Sequence, residues 1–253
     1  MTAPGSEAAF FDLDRTLMAG SSGFHWARAA ARAGLIPRRQ LYADAWANLQ
    51  FRLQGSTDES TQRVQERVSA MIRGHRSVEF ARMAPMVLAG VLPRLYPRML
   101  QVAWDHQDAG RTVYICTAAT QEMASLLAAV LGLDGGLGTQ LEADGDGVLT
   151  GRLTGPFNYG EGKPVRMREL AEAEGIDLGR SWAYSDSASD LPMLRAVGHP
   201  VVVNPDAELA RVAREEGWDV MRFETLGRQL KLAAALTAAA AAGLGARWAV
   251  GRR

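Results

Sequence analysis

The 253-residue chain predicts an α/β protein, a Rossmann-like and mostly parallel sheet interrupted after its first strand by an all-helical insert. Three observations predict it. Beyond residue 110, short apolar or β-branched runs alternate with helical stretches, as in a chain built from β-α-β units. Between Thr16 and Gly110, about 90 residues carry no strand signal at all. Acidic or hydroxyl residues close the strand-like runs, and open α/β sheets bind their ligands beyond the carboxyl ends of the strands.

Taken in order, residues 8–14 (AAFFDLD) are apolar until their end, as expected of a parallel strand buried on both faces. After Gly20-Ser21-Ser22-Gly23 come helical segments at residues 24–33, 38–53, 58–72, 77–89 and 93–109, the third opening behind the capping residues Ser56 and Thr57. Trp26, Trp46, Met71, Met83 and Met86 fall on helical periods, which reads as core or pocket wall rather than a cofactor box. Residues 111–117 (RTVYICT) form the next strand and 121–131 a helix. Residues 139–153 read as a hairpin turning at Asp144-Gly145-Asp146-Gly147. A helix at 164–174, a strand at 181–186, a short helix at 190–197, a strand at 199–204 and a helix at 207–216 complete the pattern. The implied division is a core of residues 7–18 and 110–223, a helical insert of 19–109 and an alanine-rich tail of 224–253.

Composition bounds the function. With 47% hydrophobic and 22% charged residues this is an ordinary soluble globular chain, long enough for a full core without disulfides. Its 28 Lys+Arg balance 28 Asp+Glu, which argues against a nucleic-acid partner. Cys116, alone, forms no internal disulfide and favours a reducing compartment. The four histidines show no metal-ligand spacing, so a zinc site is not expected. Residues 1–7 lack the order of a signal peptide, and a cytoplasmic protein is expected. Residues 232–246 are 15 uncharged positions followed by Arg247, Arg252 and Arg253, short of the ~20 that span a bilayer. The tail therefore reads as a terminal helix packing on the body, with membrane association through residues 232–253 as the alternative.

The chemistry gathers at strand ends. Asp12 and Asp14 close the first strand, Asp186 ends a later one, and Asp190 opens the following helix. Two carboxylates ~4 Å apart repel by about 4 kcal/mol at an effective dielectric near 20, so such a group calls for a proton or a cation. All-oxygen ligation of this kind suits Mg²⁺ together with a substrate phosphate oxygen. Thr117 closes the second strand with the Ala118 N–H beside it, and Lys163 sits in the glycine-bracketed loop Gly160-Glu161-Gly162 before a helix. These supply the donors and the positive charge that a phosphoryl group in transfer needs, with little but Lys163 opposing the four acids.

In these residues the chain resembles the haloacid dehalogenase-like phosphohydrolases. FDLDRT meets the family's Asp-x-Asp-x-Thr pattern, YICT its second motif, Lys163 its third and YSDSASD its fourth, across about residues 8–223. The insert resembles a type-1 cap, and the chain looks most like subfamily IB, the phosphoserine-phosphatase-like group. The resemblance implies a HAD-like fold and an Mg²⁺-dependent phosphatase acting on a small phosphorylated metabolite. Asp12 is then the nucleophile that forms an aspartyl-phosphate and Asp14 the general acid and base. Asp12, Asp14 (through its backbone carbonyl), Asp186 and Asp190 hold or order Mg²⁺. Thr117, the Ala118 N–H and Lys163 hold the phosphoryl oxygens, and Thr16 orders the loop behind the nucleophile. Phosphoserine phosphatases carry Ser-Gly-Gly and Gly-Asp-Gly where this chain has Thr117-Ala118-Ala119 and Ser185-Asp186-Ser187. Of their paired cap Arg-Val only Gln62-Arg63-Val64 and Glu66-Arg67-Val68 come near. Phosphoserine itself therefore stands behind another small phosphomonoester. A phosphotransferase and a membrane-tethered regulatory protein are the other readings. Ser21, Ser22, His25 and Arg52 are the candidate substrate contacts from the insert.

Overall fold

The computed structural model describes residues 5–36, 65–66 and 69–223. The sheet contains β1 (Ala8–Phe11), β2 (Thr112–Thr120), β3 (Gly135–Thr139), β6 (Trp182–Ser185), β7 (His199–Val203) and β8 (Asp219–Met221), in the order β3-β2-β1-β6-β7-β8. Every pairing within it is parallel. β4 (Leu141–Ala143) and β5 (Leu149–Leu153) make the antiparallel hairpin that the sequence predicts. Its turn is closed by the Asp144 carboxylate, which accepts from the backbone N–H groups of Asp146 and Val148.

β1 is central and entirely buried, and its side chains alternate between two cores. Ala9 and Phe11 enter one core with Leu17, Met18, Met99 and Ile115; Ala8 and Phe10 enter the other with Cys116, Met167 and Val202. Burying each phenylalanine contributes roughly 2 kcal/mol. On the first face lie α4 (Pro97–Asp108) and α5 (Gln121–Leu131), and the same core continues into α1 (Ser22–Arg32) and α3 (Ala84–Val91), which pack on each other. The short α2 (Ser77–Ala81) precedes α3. The second face is covered by α6 (Gly162–Glu174), α7 (Leu191–Arg195) and α8 (Ala207–Glu216).

Several elements differ from the sequence reading, each for a local reason. The predicted helix at 77–89 is two, because Pro85 starts α3 afresh. The predicted helix at 93–109 begins at Pro97, after a 3₁₀ turn at Leu92–Arg94. That helix, α4, was assigned to the insert by sequence, yet its Met99, Ala103 and His106 are buried against the sheet. β3 and β8 carry no sequence signal and were missed. Arg52, Trp46, the segments Gln62-Arg63-Val64 and Arg67-Val68, and the tail of residues 224–253 lie outside the described residues. No helix among the described residues is long and apolar enough to cross a membrane.

Among the described residues, the insert meets the core at three places. Where the chain leaves β1 and returns to α4, Met18 and Leu95 bridge, with Ala19 N–H donating to Arg94 O and Tyr96 N–H to Leu17 O, each at 2.8 Å. Residues 74–77 pair with the hairpin: Gly74 N–H and Ser77 N–H donate to Leu149 O and Gly147 O, and Leu149 N–H donates to His75 O. The third contact is made by α1 in the site itself.

Candidate active site

The strand order reverses between β1 and β6, the position where doubly wound sheets open a ligand crevice. Phe11 is in register with both Ile115 and Tyr184, so the residues just beyond it converge from three strands. They are Asp12, Thr117 and Asp186, all buried. Asp12 N–H still donates to Tyr184 O at 2.9 Å, which fixes the nucleophile candidate as the last rung of the ladder.

Lys163 reaches this point from the start of α6. Its ammonium is buried and donates at 2.7 Å to both Asp12 Oδ1 and Asp190 Oδ2. Ser185 Oγ donates to the same Asp190 oxygen at 2.7 Å. Gly162 is required just before the lysine, since a Cβ there would meet Phe157 O at 1.8 Å. Burial works against the Lys163 ammonium, but Asp12 and Asp190 outweigh it and hold its pKa above the ordinary value. Burial pushes Asp12 well up, opposed by Lys163 and reinforced by Asp190, Asp186 and Asp14. Burial likewise pushes Asp186 up to about 7, against the pull of Arg15.

Asp14 does not point along the strand as an alternating side chain. The chain turns at Arg15, whose φ is +66°, and the Asp14 carboxylate caps α1 instead. It accepts from Ser22 N–H at 2.8 Å and from Ser21 Oγ at 3.0 Å, a placement that the positive end of the helix favours. Ser21 and Ser22 thus hold Asp14. His25, one turn further, is buried against Gly90 of α3, where a Cβ would meet His25 Nδ1 at 2.3 Å. Burial lowers the His25 pKa, with Arg94 and Arg28 adding to it. Thr16 is fully buried and its Oγ1 has no hydrogen-bond partner among the described residues. Thr117 Oγ1 accepts from Ala119 N–H at 3.2 Å, and half-buried Ala118 accepts from Thr139 Oγ1 at 3.0 Å.

Sequence reasoning missed three residues. Arg15 Nε lies 3.1 Å from Asp186 Oδ2, which corrects the expectation that Lys163 is almost the only opposing charge. Ser185 secures Asp190. Asn158 ties the end of β2 to the loop before α6. A serine or asparagine in a loop carries no signal of its own, and Arg15 acts through a backbone angle that composition does not encode.

The donor set fits Mg²⁺. It is all oxygen, acidic charge exceeds basic, and Asp186 Oδ2 is buried with an ion-pair neighbour but no aligned hydrogen bond. Among the described residues no three His, Cys, Asp or Glu side chains form a closed cage.

Residues 9–195 match the family model of the haloacid dehalogenase-like hydrolases. The chain is 38% identical over 218 residues to a phosphoserine phosphatase of Mycobacterium tuberculosis, covering 85% of this chain and 70% of that protein. It is 30% identical over 228 residues to a histidinol-phosphatase of Neisseria meningitidis, covering 85% and 98% respectively. A solved structure of a Bordetella pertussis protein of unknown function is 30% identical, has a TM-score of 0.73 and covers 86% of this chain and 98% of that one. With buried acids and a lysine meeting where its central strands end, the chain belongs to the haloacid dehalogenase-like hydrolases, as a phosphoric monoester hydrolase of that family.

Proposed function

We propose that the protein is a cytoplasmic, Mg²⁺-dependent phosphatase that hydrolyses a small phosphorylated metabolite through an aspartyl-phosphate on Asp12. The observation that carries this reading is the buried Lys163 ammonium shared by Asp12 and Asp190 at 2.7 Å each. It leaves a carboxylate at a strand end with a cation poised for incoming phosphoryl oxygens.

In the first step an Asp12 carboxylate oxygen bonds to phosphorus as the ester P–O bond breaks, and Asp14 gives its proton to the leaving alcohol oxygen. In the second, water attacks phosphorus, the Asp12–phosphorus link breaks and Asp14 takes the water proton, which restores both groups. Thr117, the Ala118 N–H and Lys163 hold the phosphoryl oxygens. Asp12, Asp186 and the Asp14 backbone carbonyl would hold Mg²⁺, with Asp190 ordering the site through Lys163 and Ser185. When bound, the ion supplies positive charge against the phosphate oxygens. Ionised Asp12, Asp186 and Asp190 with a phosphate dianion amount to about minus five, and Lys163, Arg15 and Mg²⁺ together return about plus four. Without the ion the deficit is too large for turnover.

The insert, which we place at residues 19–95, caps the cleft and sets selectivity, with Ser21, Ser22 and Arg52 as candidate contacts. A phosphometabolite panel including phosphoserine and histidinol phosphate, run on wild type and Asp12→Asn with and without Mg²⁺, tests the reading. Wild type is expected to turn over only with Mg²⁺, and Asp12→Asn to lose at least ~10³-fold. Activity that survives exhaustive chelation, or an Asp12→Asn protein at wild-type rate, overturns it.

A further inference from the structure

We infer that Asn158 is a positioning residue for the phosphoryl group, one that fixes the aim of the Ala118 N–H and joins the end of β2 to the loop delivering Lys163. This rests on the phosphatase reading above and deepens it.

Asn158 is fully buried in the loop before α6. Its Nδ2 donates to Thr117 O and to Leu137 O, each at 2.8 Å, so one amide spans the ends of β2 and β3. Its own N–H donates to Thr139 Oγ1 at 3.2 Å, and that hydroxyl donates onward to Ala118 O at 3.0 Å. The carbonyls of Thr117 and Ala118 are therefore both held by hydrogen bonds that lead back to Asn158.

The grip has a consequence at the cleft. A trans peptide points its C=O and its N–H in opposite directions. Holding Thr117 O against Asn158 turns the Ala118 N–H away from it. The sheet does not fix this stretch unaided, since the register between β2 and β3 shifts between Cys116 and Thr120. The side-chain bonds set what the ladder leaves loose.

The residue type is informative. Two carbonyl acceptors demand two N–H donors on one short uncharged side chain, which asparagine provides and aspartate does not. Asn158 Oδ1 is buried without a hydrogen-bond partner among the described residues, a penalty that an apolar residue here would avoid. Core packing alone does not account for an amide at this position. Donors held in place before reaction lower the barrier without reorganisation, and small misplacements of such groups are costly.

The test combines p-nitrophenyl phosphate kinetics with calorimetric binding of orthovanadate in the presence of Mg²⁺. Asn158→Ala is expected to lower kcat by roughly 10- to 100-fold with little change in KM, and to weaken vanadate binding in parallel. Thr139→Val, which removes the relay hydroxyl, is expected to shift both in the same direction, and Thr139→Ser to restore them. If Asn158→Ala does not fold, the Thr139 pair decides. A folded Asn158→Ala with both readouts within about twofold of wild type overturns the inference, as does Thr139→Ser losing as much as Thr139→Val. A wild-type protein that neither hydrolyses the ester nor binds vanadate overturns the phosphatase reading as well.

Discussion

Arg15 occupies the left-handed region at φ +66°, which costs a side chain of its kind about 1–2 kcal/mol. The same turn brings its guanidinium to Asp186, a buried acid that Asp190 and Asp206 repel and that Lys163 attracts more weakly than Arg15 does. Arg15 is the larger of the two counter-charges, with Lys163, that act on Asp186 when no divalent ion is beside it. Removing it leaves that acid more dependent on the ion. Arg15→Gly, which also relieves the backbone, is therefore expected to enlarge the stabilisation conferred by Mg²⁺. The extra increment is about 1 kcal/mol, or roughly 2–4 °C, discounted for the partial exposure of the arginine. Scanning calorimetry in Mg²⁺ and in chelator measures it, and equal increments in the two proteins would separate Arg15 from the ion.

At the scale of elements, β3 shows how packing overrides propensity. Its sequence, Gly135-Gly136-Leu137-Gly138-Thr139, reads as anything but a strand. A Cβ on Gly136 would meet the Ala124 carbonyl carbon at 2.4 Å, and one on Gly138 would meet Thr120 O at 2.7 Å. The glycines let α5 and its N-terminal turn lie directly on the strand. Gly136→Ala is expected to cost about 1–3 kcal/mol in urea unfolding. Gly135→Ala, which meets only the Tyr114 ring at 3.1 Å, is expected to cost less, and equal losses would refute this account. By contrast β1, β2, β6 and β7 were legible because strands buried on both faces must be apolar and β-branched. Asp12, Thr117, Asp186 and Asp190 were legible because they stand where those runs stop, and Lys163 because glycines bracket it. Asn158 and Ser185 were not: one bonds backbone carbonyls and the other a carboxylate that only folding brings near. The orientation of Asp14 is not legible in the sequence, because the turn at Arg15 breaks strand alternation.

At the scale of the molecule, acid sensitivity has an identifiable contributor beneath the sheet. His106 of α4 is buried, with Nε2 2.8 Å from the Tyr184 hydroxyl and Nδ1 3.2 Å from Arg111. Burial lowers its pKa to about 4, and Arg111 adds to the effect. The unfolded chain, near 6.5, then binds the proton more readily than the fold. The contribution of neutral His106 is present above about pH 6.5 and is lost as pH falls towards about 4. The stability difference between wild type and His106→Gln is expected to narrow across that window in denaturant titrations. A constant difference would exonerate the histidine.

Met18 and Leu95, bridged side by side, make the insert a detour that ends where it began. Closing such a detour costs free energy only as the logarithm of its length. The sheet therefore meets the same two neighbouring backbone ends whether the excursion between them is long or short. Exchanging the excursion beyond α1 for another helical segment, with Ser21 and Ser22 kept to hold Asp14, is expected to change which phosphate ester is taken while Asp12, Lys163 and Asp190 keep their 2.7 Å contacts.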